Sequence, residues 1–584
     1  MEETLSRKNI RKLFLSLLPV QAFAVGMPAI NNLLDSFIIG NFIGANGLAA
    51  VGFCGPLLML VSAFSSMIAT GSQLLCGQAL GKGDRKEMCR IYSTALVLCL
   101  VIGLAFSVSC WFFADSIAVL LGAQDTLLPM TAGYVRGMGV GLVFSLLNGC
   151  MLPFLQLDHS KKTATLVVAV MLISNVCGDA ASVFIFHGGM LGVGLATTIS
   201  FLLAVLISGA RLLRSRLFRF SIADFSAGTV ANIFRLGFPN GLEFLCLVVR
   251  NRVINHFVYL YAGSIGMSAM TVANNITTAF GCVLEAGYSG SGRMIASILT
   301  GQRDSSTLRD LPKIMAGSVW WMYLALYGIV LCFTGPLALF FGADPAELAT
   351  YILVIRLFNL WYLTNIFKAP PICLYQGTGQ VQLMSILTVL NNLVIPVAIC
   401  FGLSGLMGIS AVASCSWMCE IGLMLCMAVI FLVKAKRLPR SPLELAYVPS
   451  TISAPRENRF KATICTVEDA VKASEDIIAF CKNRGIPERN AMYCGLCVEE
   501  MSTDTITHGF VSKDNTIDVR MIIEDGHARI LLRDNCREFD PVAWLSLCDK
   551  EEKDRSIGIR MVSQLSSEMN YVCTLGMNIL TIVV

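Results

Sequence analysis

The pentapeptides "LGKGD" (residues 80–84) and "TGQRD" (residues 300–304) decide the fold. Each closes an apolar run, one at Asp84 and the other at Asp304. The same offset joins "LLPV" at Pro19 to "GFPN" at Pro239, and "LQLDHS" at Gln156 to "YQGTGQ" at Gln376. "MLGVGLA" at Gly192 pairs with "LMGISAV" at Gly408 at nearly that offset, one helical turn short of it. Four matches in register mark an internal duplication.

The duplicated material is membrane-like. The chain has 584 residues, 55% hydrophobic and 14% charged, with a mean hydropathy of +0.69. Soluble proteins average about 25% charged residues, so long segments here never meet water. Apolar runs of spanning length number about twelve, from 14–38 to 406–433, six in each half. Six is even, so both halves run in the same sense about an axis along the membrane normal. Secondary transporters are commonly built this way, with the substrate between the halves. The expected fold class is an α-helical polytopic membrane protein of twelve transmembrane helices in two six-helix repeats, residues 1–220 and 221–440.

The loops orient it. Arg7, Lys8, Arg11 and Lys12 precede the first run, and further Lys and Arg follow the second, fourth, sixth, eighth and twelfth, the last set being Lys434, Lys436, Arg437 and Arg440. The alternate loops "GNFIGANG", "FHGGML", "YAGSIG" and "FGLSGLM" carry neither residue. The positive-inside rule then places both termini in the cytoplasm of a multi-pass plasma-membrane protein. The polar "MEETLSRKNIRK" is not a cleavable signal, and the run after it stays as the first span. The 22 cysteines lie mostly in apolar runs, as small hydrophobes without a disulfide framework. "GQALGKGD" has three residues rather than four between Gly77 and Gly81-Lys82, so it is no Walker A loop and gives no support to an ATP-driven pump.

Charged groups inside spans are costly and mark function. Asp35 falls in the first run, and Asn175 and Asp179 sit four apart on one face of the fifth. A carboxylate in a low-dielectric cavity holds its proton more tightly and can exchange it near neutrality. With amide oxygens it can also hold Na⁺. The second half has Glu243, Arg250, Arg252, Glu285, Arg293 and Lys368 in or near spans. Glu243 and Glu285 are the candidates for a cationic substrate, against internal ion pairing.

"LLDSFIIGNFIGANGLAAVGF", "QALGKGD" and "LISNVCGDAASVFIF" resemble the MATE (multidrug and toxic compound extrusion) transporters over roughly residues 10–435. The resemblance implies antiport of a small organic molecule against H⁺ or Na⁺, with Asp35, Asn175 and Asp179 as the coupling site. It assigns no residue in the second half.

Past "KAKRLPRSP" the chain changes character. Residues 441–458, rich in Pro and Ser, read as a linker that few contacts should cross. From 459 to 584 the pattern is soluble α/β: "RFKATICT" and "NTIDVRMIIEDGHARILLRDN" alternate as strands, the second with "EDGH" as a hairpin turn. "VEDAVKASEDIIAFCKNRG" and "PERNAMYCGLCVEEMSTDTITHG" are helical and end at Gly. In the second helix Glu500, Asp504 and His508 share a face. "EEMSTDTITHG" is similar to the N-box of histidine-kinase-like ATPases, in the branch of anti-sigma-factor serine kinases. "LLRDNCREFDP" and "DRSIGIRMVSQL" follow as the adenine and glycine boxes.

That resemblance implies a cytosolic two-layer α/β sandwich that binds ATP. Asp534 would take the adenine, Gly558 the phosphates, Asp504 and His508 the nucleotide and Mg²⁺, and Glu500 would be the catalytic base of any phosphotransfer. Asp504 replaces the family's Asn, Cys536 replaces its Gly, and Gly558 is the one clear glycine, preceded by Arg555-Ser556. The lone "CGLC" (Cys494 to Cys497) reads as core packing rather than zinc or redox chemistry. Two functions remain. One is a cation-coupled exporter of organic, cationic or amphipathic compounds whose tail is a regulator, either nucleotide-responsive or binding a cytosolic protein partner. The other is a membrane-tethered serine kinase or anti-sigma-like binder. Neither involves nucleic acid.

Overall fold

A computed structural model describes residues 2–124, 127–158, 160–215, 217–340, 345, 347–449, 452, 455–512, 515–524, 526–547, 557–574 and 577–584. The first half is α1 (Glu2–Ile38), α2 (Ala45–Phe53), α3 (Gly55–Lys82), α4 (Arg85–Phe112), α5 (Ala114–Leu120), α6 (Leu127–Gly139), α7 (Leu142–Leu157), α8 (Lys161–Phe184) and α9 (Gly189–Leu212). The second half is α10 (Ala227–Ile276), α11 (Cys282–Gly301), α12 (Ser305–Phe340), α13 (Leu348–Asn359), α14 (Trp361–Gly377), α15 (Val381–Val389), α16 (Ile395–Met407) and α17 (Ile409–Ala435).

By length and apolarity alone, nine helices among the described residues can cross a membrane, or ten if the bent pair α6–α7 is one span. The expected twelve is therefore not reached on that criterion. The reasons are local. The 50-residue α10 is one helix by hydrogen bonding but breaks at Gly263 (φ 56°, ψ −145°), so it holds the seventh expected run and the start of the eighth. Its continuation, α11, carries Glu285 and Arg293 among glycines and serines, which makes it less apolar than a typical span.

The duplication is visible in space. Asp84 caps α4 by accepting from Glu87 N (3.0 Å), and Asp304 caps α12 by accepting from Thr307 N (3.1 Å). Before each cap stands a left-handed residue, Gly83 (φ 76°) and Arg303 (φ 57°). The halves meet at this end. A Cβ on Gly81 would lie 2.2 Å from the Ile298 carbonyl oxygen, and one on Gly301 would lie 2.1 Å from that of Gln78. Gln78 and Ile298 are themselves separated by the offset of the repeat, so one contact is the other's pseudo-twofold image. Glycine is required here because the backbones touch.

After α17 the chain does not float. Leu445 and Val448 are buried. Tyr375 Oη donates to the Leu445 carbonyl (2.8 Å) and accepts from Tyr447 N (3.1 Å), which straps this segment to α14. The C-terminal domain has β1 (Arg459–Ile464), α18 (Val467–Asn483), α19 (Glu488–Asp504), β2 (Ile517–Glu524), β3 (His527–Asp534), α20 (Pro541–Leu547), α21 (Ile557–Leu565), β4 (Glu568–Thr574) and β5 (Met577–Val583). Thr466 and Asp469 form a capping box that starts α18. Gly526 supplies the positive φ that the β2–β3 turn requires. The sheet is antiparallel, in the order β1-β2-β3-β5-β4.

Strand alternation gives this sheet two faces. Val519, Met521, Ile530, Leu532 and Ile582 pack under α18, α19 and α21. Leu531, Val572 and Ile579 point the other way and join the membrane part's core, near Ile10 and Leu13 of α1 and Ile295, Ile298 and Leu299 of α11. The expectation of few contacts across the linker is thus corrected, because the sheet is apolar on both faces and buries the second against the membrane part. Asn9 Nδ2 donates to Thr516 Oγ1 (3.1 Å), so the chain's start lies on the side of this domain.

Candidate functional site

Three groups of polar side chains stand out. In the first lobe, Asp35 on α1 accepts from Asn31 Nδ2 (3.2 and 3.4 Å). Asp179 on α8 is buried and comes within hydrogen-bonding reach of Asp35 once either carries a proton. Otherwise, among the described residues, both Asp179 oxygens lack a hydrogen-bond partner, as does Asn175 Oδ1, while Asn175 Nδ2 donates to Thr197 Oγ1 (3.2 Å). Tyr134 of α6 stands beside both carboxyls. The three residues singled out from sequence are therefore brought together; Asn31 and Tyr134 were missed. Orphaned buried carboxylate oxygens are costly, and a proton or a cation placed between the two groups would satisfy them.

In the second lobe a cavity of about 550 Å³ is lined by Glu243, Arg250, Glu285, Lys368, Asn391, Asn392 and Glu420, with Trp361 and Phe358 in its apolar wall. Lys368 Nζ lies 2.8 Å from Glu420 and 3.5 Å from Glu285. Glu420 also accepts from the Thr364 hydroxyl. Arg250 Nη1 donates to Asn392 Oδ1 (3.3 Å). Glu243 is exposed to the cavity. Three carboxylates and two cations line this wall, and Arg293 lies close enough to act on Glu243 as well. Glu285 is in part an internal ion-pair partner, as the alternative reading of the sequence had it. Glu420 was missed, although an acidic residue inside "SWMCEIGLML" is the kind of signal that marked Asp35.

In the C-terminal domain a pocket of about 260 Å³ gathers Asp504, His508, Asp534, Arg537, Tyr571 and Asn578. The helix ends at Asp504 and a π-turn, Thr505–Gly509, carries His508 on. His508 Nε2 lies 3.9 Å from Asp504. Burial raises the Asp504 carboxyl, partly offset by His508. Burial also raises that of Asp534, whose Oδ1 accepts from Cys536 N (2.9 Å) and Asn578 Nδ2 (2.7 Å). Glu500 and Gly558 do not line this pocket. Glu500 Oε2 would be 2.3 Å from a Cβ on Gly558, so that glycine lets α21 close over α19. Arg555 and Ser556 lie outside the described residues. Among the described residues no three His, Cys, Asp or Glu side chains converge as a metal site, so Asp504 would need phosphate or water oxygens beside it to hold Mg²⁺. The 21 described cysteines are free, Cys494 and Cys497 among them and buried.

Two pseudo-equivalent helical lobes, a carboxyl pair with one member buried in the first and a charged cavity in the other, are the features of a membrane-embedded secondary transporter. The MatE family model matches residues 22–180. The multidrug export protein MepA of Staphylococcus haemolyticus is 22% identical over 391 residues, which is 66% of this chain and 85% of MepA. The probable multidrug resistance protein YpnP of Bacillus subtilis is 23% identical over 248 residues, and the chain spans only 56% of that relative's length. Among solved structures, MATE in complex with MaL6 aligns with a TM-score of 0.68 at 20% identity, covering 73% of this chain and 98% of that one. A MATE transporter in an outward-facing conformation aligns with a TM-score of 0.68 at 19% identity, covering 73% of this chain and 95% of that one. The membrane part has the fold of the MATE transporters.

Proposed function

We propose that this protein is a cation-coupled antiporter that exports organic, cationic or amphipathic compounds, with both termini in the cytoplasm. Asp35, Asn175 and Asp179 take up the coupling H⁺ or Na⁺. The second-lobe cavity, through Glu243 and Glu285 with Glu420, receives the organic cation. The observation that carries this reading is Asp179, buried beside Asp35; its oxygens have no hydrogen-bond donor among the described residues unless a proton is shared with Asp35. A structural carboxylate would be hydrogen-bonded, whereas an ion-coupling one must be left available. The names of the multidrug export and resistance proteins it resembles agree. The test is efflux of a fluorescent organic cation from vesicles under imposed proton or Na⁺ gradients, with and without ATP. Efflux driven by neither gradient would refute the reading.

The C-terminal domain, residues 459–584, serves in this reading as a nucleotide-responsive regulator, on the strength of the pocket that gathers Asp504, His508 and Asp534. The same pocket favours the second reading, a membrane-tethered serine kinase or anti-sigma-like binder of a cytosolic protein. Glu500 lies against α21 instead of the pocket, which weighs against phosphotransfer.

A further inference from the structure

The sheet of the C-terminal domain lies across both lobes, and it does so at the two equivalent pentapeptides. On the first-lobe loop, Arg85 Nη2 bonds Asp540 (3.3 Å) and the Tyr571 carbonyl oxygen (2.6 Å). On the second-lobe loop, buried Arg533 donates to Asp304 (3.0 Å) and Gln302 (2.9 Å), with Asp518 closing the cluster. Burial alone would raise the Asp304 carboxyl, but Arg533 and Arg520 hold it well below the usual range. Arg303 pairs with Glu524 from a left-handed backbone position where the first repeat uses glycine. A side chain there is disfavoured, and this one reaches the sheet.

We infer that the C-terminal domain is an intramolecular clamp that holds the two lobes together at this end. The two grips are unequal. The second-lobe grip is buried and seconded by the strap on α14. The start of α1, which also meets the sheet at Asn9, Ile10 and Leu13, is tied to that lobe by Arg7 and Asp310 (3.0 Å). The rest of the first lobe is gripped at Arg85, whose side chain is 42% exposed. The domain therefore rides with the second lobe, and release means loss of the Arg85 contacts. Beneath the clamp lie the Gly81 and Gly301 backbone contacts, which must part for a pathway to open at this end.

The inference rests on the transport reading only for its consequence, so the first test does not use transport. In the full chain in detergent, Arg85→Glu sets like charge against Asp540. Backbone amides of residues 77–80 and 298–301 should then exchange hydrogen about tenfold faster, together, which corresponds to about 1.4 kcal/mol. No change, or a change confined to residues near 85, would overturn the clamp. The second test fastens it. A Cβ on Gly83 would lie 3.9 Å from Thr581 Cβ, within the ~3.5–4.5 Å range of a disulfide. Arg303 shows that a side chain is tolerated at this backbone conformation. In vesicles, oxidising Gly83→Cys/Thr581→Cys with copper phenanthroline should stop export, reductant should restore it, and each single variant should be unaffected. Unimpaired export by the oxidised, cross-linked protein would overturn the clamp. If the reduced protein does not export at all, the transport reading fails, and amide exchange still decides the clamp.

Discussion

Replacing Glu420 by Gln should destabilise the membrane part, and replacing Lys368 by Met in the same chain should restore most of the loss. Lys368 Nζ is 2.8 Å from Glu420 and 3.5 Å from Glu285. At an effective dielectric of about 20 these separations give gross attractions of roughly 6 and 5 kcal/mol. Desolvation cancels most of that, and what survives is the asymmetry: removing one member of a buried pair costs about 3–5 kcal/mol because the other stays charged. Here Glu285, a third exposed, remains beside the ammonium, so Glu420→Gln should cost about 2–3 kcal/mol, at or just below the lower end of that range. Lys368→Met alone strands Glu420, which is 5% exposed. The double variant removes one charge of each sign and should lie within about 1 kcal/mol of the parent, a coupling of about 2 kcal/mol or more. The free cysteines that are buried in the folded chain, Cys415 and Cys419 of the same cavity among them, supply the assay, once Cys177, Cys332 and Cys465, which are exposed, have been blocked. A thiol-reactive fluorogenic dye followed during heating reports their exposure on unfolding. Losses in the single variants that simply add in the double would show that the pair is not coupled.

Asp35→Asn should abolish gradient-driven efflux while leaving membrane insertion intact; unchanged efflux in vesicles would remove Asp35 from the coupling site. Asp304→Asn should weaken docking of the C-terminal domain, by an amount constant from pH 6 to 8. The folded carboxyl is depressed, so its contribution is complete above the unfolded value of about 4 and fades only as pH falls through the folded value. Limited proteolysis at several pH values checks this. Calorimetric titration of the full chain should show weak, near-millimolar ATP binding that depends little on Mg²⁺ and gains Mg²⁺ dependence as pH rises, because burial raises Asp504 and the metal needs its ionised form. Micromolar binding abolished by chelation at every pH would contradict it. Deleting residues 441–584 uncovers Ile10, Leu13, Ile295 and Leu299, so the remaining membrane part should stay helical by circular dichroism yet lose monodispersity on gel filtration.

The duplication, the apolar runs and the strand pattern were legible because each rests on a period or spacing that local physics imposes. Asp35, Asn175 and Asp179 were legible as candidates because a polar group in a long apolar run is costly and needs a reason to be there. Glu420 obeyed the same rule and was overlooked, hidden in a run already assigned to packing. Partnering was illegible. Nothing local says that Lys368 reaches Glu420 and Glu285 across helices, or that Gly558 sits against Glu500 of α19. Docking of the sheet was half-written in "ILTIVV", where apolar residues on consecutive positions announce two buried faces. The sequence does not name the surface that covers the second.

The near-equivalence of the two pentapeptides raises a question of polarity. A sheet laid on a pseudo-twofold axis meets two almost interchangeable seats, and turned by half a revolution it would present Arg533 to Asp84. In that seat Lys82 occupies the position of Gln302 and would repel Arg533, and Gly83 has no side chain to reach Glu524. A few divergent positions between duplicated loops are thus enough to give a symmetric platform a front and a back. A duplicated transporter with two identical loops would let its appended domain dock either way round, and only one of those orientations would bring Asp540 and Tyr571 to Arg85.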